Sequence, residues 1–222
     1  MTNWEKLVYD NANNHLLSWR NVSAFELPQD IFTLLKQWVV QAKENGECAN
    51  KSLLGHIKEE YHFDTIPNMV ADFLIEKTKH KPVSDFVNYL QVLEFDAPIK
   101  LGSLWINHQR KYEFNPIHTH NGFASFIIFL EIPYDLNDEL NYFTELAGHN
   151  QSHYYTCTSK LALLTMDRHF KINANPIPVD KSFEGKMLMF PAHTPHIVYP
   201  FYTSDGVRRT VSGNLIFKNE KF

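Results

Sequence analysis

The sequence predicts an α+β fold, a mostly antiparallel β-sandwich or jelly roll with a helical layer supplied by its N-terminal part. Three observations lead there. Apolar residues recur at helical spacing up to about residue 95 and at a spacing of two from about residue 98 onward. The later runs are short, rich in β-branched and aromatic residues, and separated by Pro, Gly, Asn and Asp. Strand patterns there succeed one another with no helical pattern between them, which favours antiparallel pairing. No repeat, low-complexity tract or Gly/Ser linker divides the chain, so residues 1–222 read as one domain, with 1–95 mainly helical and packed on a jelly-roll core formed by 96–222.

In "PQDIFTLLKQWVVQAKENG", Ile31, Leu34, Leu35, Trp38, Val39 and Ala42 fall on one stripe, with Pro28 near the start and Gly46 past the end. "TIPNMVADFLIEKTKHK" repeats the pattern with Pro67 early and Met69, Val70, Phe73 and Leu74 apolar. "PVSDFVNYLQVLEF" follows with Phe86, Val87, Leu90 and Leu93, which predicts a third helix. The strand candidates are "IKLGSLWINHQRKYEF", "FASFIIFLEIP", "KLALLTMD", "GKMLMFP", "HIVYPF" and "RRTVSGNLIF".

Composition narrows the function classes. With 222 residues, 44% of them hydrophobic, the chain can bury a substantial core. The 21 basic residues against 25 acidic ones leave a net charge of −4, and no basic run offers a stripe for phosphates, so duplex nucleic acid is a poor fit. Cys48 and Cys157 are too few for a disulfide scaffold and form no CxxC pair; plain thiols in a reducing compartment are expected. The first residues lack a signal-peptide pattern and no apolar stretch approaches the ~20 residues of a membrane span. The expectation is a cytoplasmic protein with no membrane partner, and a homodimer is left open.

The chemistry gathers at histidines. "NPIHTHNG" carries His118 and His120 two residues apart at the mouth of a predicted strand, where positions i and i+2 share a face. "MFPAHTPHIVYPF" adds His193 and His196 at the end of a distant strand. Two histidines close together with a third far along the chain form a facial metal arrangement with open positions; a zinc finger does not fit, because no cysteine pair accompanies them. "HNQSH" (His149, His153) lacks the glutamate of HExxH and sits among loop formers, and Tyr154 and Tyr155 read as alternating strand residues.

"HTHNGFASFIIFLEIP", "FEGKMLMFPAHTPHIVYPF" and "RRTVSGNL" together resemble the double-stranded β-helix of Fe(II)- and 2-oxoglutarate-dependent oxygenases, in particular the kind found in marine bacteria and their phages. "NKSLLGHIKEEYHF" is similar to an N-terminal element of the same group. The family pattern is H-x-D/E, a distant H, then R followed two residues later by S or T. Carried over, it puts His118 at the first metal position, His120 at the carboxylate position, His196 at the distal histidine, and Arg208 with Thr210 at the cosubstrate carboxylate; Arg209, facing the opposite way, is second choice.

The departure is an imidazole where the family has a carboxylate. Glu113 and Glu131 are the candidates to supply the missing acid. Three neutral histidines leave the metal its full charge, which holds a dianionic cosubstrate more strongly and makes oxidation of the iron harder. Trp105 and Asn107, two apart on the preceding strand, either line the same cavity or serve as core and turn residues. The resemblance implies Fe(II), 2-oxoglutarate and molecular oxygen acting on a small molecule or a protein side chain. Two other readings remain: a three-histidine cupin-like metal enzyme that uses no ketoacid, and a non-enzymatic jelly-roll binding protein. The first reading also requires residues 200–207 to form a corner between facing sheets, since a tight hairpin would carry Arg208 some ~23 Å from His196. Pro200, unable to donate in a ladder, predicts that corner.

Overall fold

A computed structural model describes residues 22–45, 47–50, 53–62, 66–80, 83, 98–147, 158–166 and 169–218. In chain order its elements are β1 (Ser23–Glu26), α1 (Gln29–Asn45), β2 (Glu47–Cys48), β3 (Glu60–His62), α2 (Asn68–Lys77), β4 (Ile99–Gln109), β5 (Asn115–His118), β6 (Ala124–Glu131), α3 (Leu136–Ala147), β7 (Leu161–Met166), β8 (Ile172–Ile177), β9 (Lys186–Pro191), β10 (His196–Val198) and β11 (Arg208–Phe217). A larger sheet runs β1-β9-β6-β11-β4-β3-β2 and a smaller one β5-β10-β7-β8, with every pairing antiparallel. This is the mostly antiparallel double-stranded β-helix that the sequence predicts.

Alternation sorts the side chains of the larger sheet into two cores. Leu104, Ile106, Ile128, Leu130 and Val211 face outward and pack with Ile31, Leu35 and Val39 of α1 and Val70 and Leu74 of α2. Ile127, Phe129, Leu188 and Phe190 face inward and meet Leu161 and Leu163 of the smaller sheet. "FASFIIFLEIP" is apolar at nearly every position for this reason: β6 lies in the middle of a sheet covered on both faces. The predicted helical layer is thus present as a minor component.

Three local expectations need correction or fall outside, and one further strand has no counterpart among the candidates. The third helix, "PVSDFVNYLQVLEF", lies outside the described residues except for Val83, which is buried. The N-terminal part is less purely helical than expected, because β1 adds to one edge of the larger sheet and β2 and β3 to the other. Strands do not succeed one another unbroken either: α3 intervenes, started by Asp135, whose carboxylate accepts from the amide of Asn137 at 2.8 Å. Finally, "INANPI" forms β8. Pro176 and two asparagines argue against a strand, but β8 is an edge strand, where a proline costs no ladder bond on the open side.

The corner at 200–207 is present. β10 belongs to the smaller sheet and β11 to the larger, so the chain crosses between sheets after Pro200, whose carbonyl still accepts from the Ser159 amide at 2.8 Å but which has no N–H to extend the ladder. Glu139 of α3 holds the crossing. Its buried carboxylate accepts from the amides of Tyr202 (3.0 Å) and Thr203 (2.7 Å) and from the hydroxyls of Thr203 (2.6 Å) and Thr158 (3.0 Å).

Candidate metal centre

The smaller sheet sets the histidines. His118 on β5 and His196 on β10 are direct cross-strand partners, so their side chains leave the sheet on the same face. His120 lies just beyond β5, where its amide donates to Ala192 O at 2.9 Å. The turn continues through Gly122 at φ +89°, and a Cβ there would stand 2.5 Å from Leu215 O, so the "HNG" turn needs its glycine. The ring centroids lie 4.2 Å (His118–His196), 4.8 Å (His118–His120) and 4.9 Å (His120–His196) apart, and one ligand nitrogen from each falls within 4.8 Å of the others. Among the described residues this is the cluster of three or more potential ligands able to hold an ion.

The ring nitrogens are already assigned. His118 Nδ1 donates to Pro116 O at 2.6 Å and His196 Nδ1 to Thr194 O at 2.9 Å. Because a carbonyl only accepts, Nδ1 carries the proton in both rings and Nε2 is left with its lone pair, as a metal ligand requires. All three rings are kept neutral. Burial lowers the His118 pKa; burial and then His118 push His120 down to about 3; burial, His118 and His120 hold His196 well below the ordinary value. A neutral, oriented three-imidazole set fits a divalent transition metal.

The inner face of the larger sheet supplies the rest of the cavity. Across β4 and β11, Trp105 stands opposite Ser212, Asn107 opposite Thr210, and Gln109 opposite Arg208, all pointing inward. Trp105 lies 5.0 Å from His120, ring to ring, and the Asn107 amide donates to Thr210 Oγ1 at 3.3 Å. Arg208 is buried, and its Nη1 donates to Tyr134 Oη at 3.1 Å and Ser159 O at 3.0 Å. Its Nη2 and Nε make no hydrogen bond among the described residues. Trp105, Asn107, His118, His120, His196, Arg208 and Thr210, the seven residues singled out from the sequence, therefore line one pocket, walled by Ile127 and Phe129.

The other candidates are elsewhere. Arg209 points out of the cavity and ion-pairs with Glu131. Glu113 accepts from the amides of Lys58 (3.2 Å) and Arg110 (2.8 Å), so neither acid joins the histidines. His193 is exposed in the turn before β10 and outside the pocket lining. Cys48 is a free, exposed thiol. His149, His153, Tyr154, Tyr155 and Cys157 lie outside the described residues.

Sequence reasoning missed Tyr134 and Ser159, which hold Arg208, and Glu60. Glu60 on β3 pairs with Asn107 and is buried, facing a second cavity that shares Trp105, His118 and His120 with the first. Two adjacent glutamates in "IKEEYHF" give no warning that one of them turns inward.

Burial of the histidines predicts an acid-labile apoprotein. A histidine with folded pKa about 3 and unfolded pKa ~6.5 gives the unfolded chain more bound protons between those values, so stability falls as pH drops below ~6.5. His120 alone should cost about 2 kcal/mol between pH 7 and pH 5. Glu60 acts oppositely, because burial and then Glu113 raise its pKa to about 7, so protonating it on acidification stabilises the fold. The expected outcome in urea denaturation is a net loss from pH 7 to 5 that steepens in Glu60→Gln. A flat profile in both proteins would show that the histidines are not kept neutral.

A neutral histidine set at the mouth of an antiparallel β-helix, with a buried arginine in the same pocket, is an arrangement able to hold a divalent metal beside an anion. The family model described as "Putative 2OG-Fe(II) oxygenase" matches residues 103–214, half of the chain, a span that includes every residue just placed in the pocket, and the chain belongs to this family of Fe(II)- and 2-oxoglutarate-dependent oxygenases. Among solved structures, a prolyl-4-hydroxylase from Pseudomonas putida is 13% identical, with 97% of this chain and 100% of that chain covered and a TM-score of 0.54, which establishes a shared fold. A 2OG-Fe(II) oxygenase family oxidoreductase from Burkholderia pseudomallei is 10% identical over 97% of this chain and 90% of that one, with a TM-score of 0.48. The viral collagen prolyl hydroxylase of Paramecium Bursaria Chlorella virus-1 is 12% identical over 87% and 94%, with a TM-score of 0.45. No curated protein matches in sequence. No helix among the described residues is long and apolar enough to cross a membrane.

Proposed function

We propose that the chain is a hydroxylase that couples oxidative decarboxylation of 2-oxoglutarate to succinate with hydroxylation of a small-molecule or protein side-chain substrate. The observation that carries this reading is the burial of Arg208 in the same pocket as the three histidines. Bound Fe(II) with 2-oxoglutarate supplies the redox chemistry that lets molecular oxygen attack a C–H bond.

The chain's own residues bind, orient and exclude. His118 and His196 would hold the metal through Nε2, their rings fixed by the carbonyls of Pro116 and Thr194, and His120 would provide the third imidazole. Arg208, braced on Nη1 by Tyr134 and Ser159, receives the far carboxylate of the ketoacid on its remaining edge, assisted by the Thr210 hydroxyl. Asn107 positions Thr210, while Trp105, Ile127 and Phe129 keep water from the reacting centre.

The test is anaerobic titration of the Fe(II)-loaded protein with 2-oxoglutarate, followed by the visible charge-transfer band of a chelated ketoacid. Arg208→Ala should raise the ketoacid needed for half-saturation by on the order of 100-fold, since truncating one partner of a buried charge pair costs ~2–5 kcal/mol. Arg208→Lys, which keeps the charge but loses the fork, should fall between. A second reading rests on His120 standing where the family has a carboxylate: a three-histidine, cupin-like enzyme that uses no ketoacid. An iron-loaded protein with no band, or a band indifferent to Arg208, favours it.

A further inference from the structure

The larger of the two cavities at the histidines holds an acid that the metal site does not use. It measures about 360 Å³ and is bordered by Leu53, Leu54, Gly55 and Glu60 on one side and by Trp105, Asn115, His118 and His120 on the other. Glu60 is only 1% exposed, and its Oε2 has no hydrogen-bond partner. The side-chain oxygen of Asn115, also buried, is unpartnered as well. These oxygens crowd one spot: a Cβ built on Gly55 would stand 2.6 Å from Glu60 Oε1 and 2.9 Å from Oε2, and closer still to Asn115 Oδ1.

Gly55 therefore leaves a notch whose three nearest neighbouring atoms are all side-chain oxygens. Native proteins rarely bury an acid without a donor, and the penalty is large enough that such an oxygen calls for a ligand. Glu60 does not belong to the group of side chains able to hold the ion. The carboxylate pKa of about 7, raised by burial and by Glu113, is that of an acid lacking a nearby cation.

We infer that this notch binds the substrate through a cationic nitrogen, an amine or guanidinium on an aliphatic stem, which Glu60 pairs with while the stem lies along Leu53 and Leu54 toward the three histidines. The inference rests on the proposed function and names the substrate class for that site. A charged nitrogen satisfies the Glu60 oxygens and leaves a donor for Asn115, whereas a neutral apolar group leaves all of them unpaired. Placing charge recognition in the outer cavity also keeps the substrate clear of Arg208, whose own charge would repel it.

The test uses the full chain with Zn(II) in place of iron, so that binding is read without turnover. n-Butylammonium and n-butylguanidinium are titrated by ligand-observed NMR beside neutral butanol, and the same sample is titrated with 2-oxoglutarate. The expected result is saturable binding of a cation at least tenfold tighter than butanol, with about a tenfold or greater loss in Glu60→Gln and in Gly55→Ala, whose methyl fills the notch at the expense only of flexible side-chain ends. The ketoacid titration should be unaltered in both variants; if it fails in the wild type, the proposed function fails separately. Equal binding of cation and alcohol, equal binding by wild type and Glu60→Gln, or no saturable binding of either cation overturns the inference. Blocked lysine and arginine peptides, compared with the free amino acids, then distinguish a side chain on a polypeptide from a metabolite, since both present the same cation.

Discussion

His196→Ala is expected to reduce affinity for divalent transition metals by on the order of 10²–10³-fold. His196 is the most enclosed of the three imidazoles, set opposite His118 on one neighbouring strand and Leu163 on the other, and no other described side chain stands ready to replace it. Structural metal sites of four ligands bind with ~10–16 kcal/mol, so one ligand is worth about 3–4 kcal/mol. Competition against a chromophoric chelator at pH 7.5 measures the loss. The apoprotein should survive the change, because the residue removed is a buried group that must remain neutral and whose ring makes one local hydrogen bond. The variant should also lose part of the acid sensitivity of the wild type, which ties the metal readout to the same ring. Unchanged metal affinity in a folded variant would remove His196 from the site.

Glu139→Ala should cost ~3–4 kcal/mol of unfolding free energy and weaken 2-oxoglutarate binding, although Glu139 lines neither cavity. Its carboxylate is the acceptor for two backbone amides and two hydroxyls at the corner between the sheets. The hydroxyls can turn elsewhere, and Thr158 already lies 3.4 Å from Pro200 O, but the amides of Tyr202 and Thr203 cannot. Each of these amides makes a hydrogen bond to a charged acceptor in a part-buried corner, worth ~1.5–3 kcal/mol. Glu139→Gln, which keeps one acceptor, should lose about half as much. Urea denaturation gives the first quantity, and ketoacid titration of the metal-loaded variants gives the second. A destabilised variant with wild-type ketoacid binding would mean that Arg208 is held by Tyr134 and Ser159 alone.

What was legible in the sequence follows the strength of its local signals. β4, β6, β7, β9, β10 and β11 coincide with runs that alternate or are apolar throughout, α1 with a stripe bounded by Pro28 and Gly46, and α2 with one opened by Pro67, because burial on a defined face leaves a period behind. The histidines were legible for a related reason: i and i+2 share a face in extended chain, and His120, just past the end of β5, still brings its ring to the other two. Illegible features depend on long-range placement. Whether "INANPI" is a strand turns on its being an edge, which only the sheet order reveals. α3 carried usable signals, an Asp135 cap and Gly148 beyond its end, but they were diluted by the asparagines of "DLNDELNY". Glu60 had no signal, since its role is set by what β4, β5 and Gly55 put around it.

The corner carries a kinetic consequence. His196 stands just before it and Arg208 just after, so the metal end and the carboxylate end of the ketoacid pocket hang from one short stretch of chain, latched by Glu139 together with the Tyr112 amide on Phe201 O and Lys111 on Asp205. Opening that latch lets go of both ends at once. Amide exchange along 196–210 should therefore proceed as one cooperative unit, and bound ketoacid and metal together should slow it far more than either slows the exchange of α1.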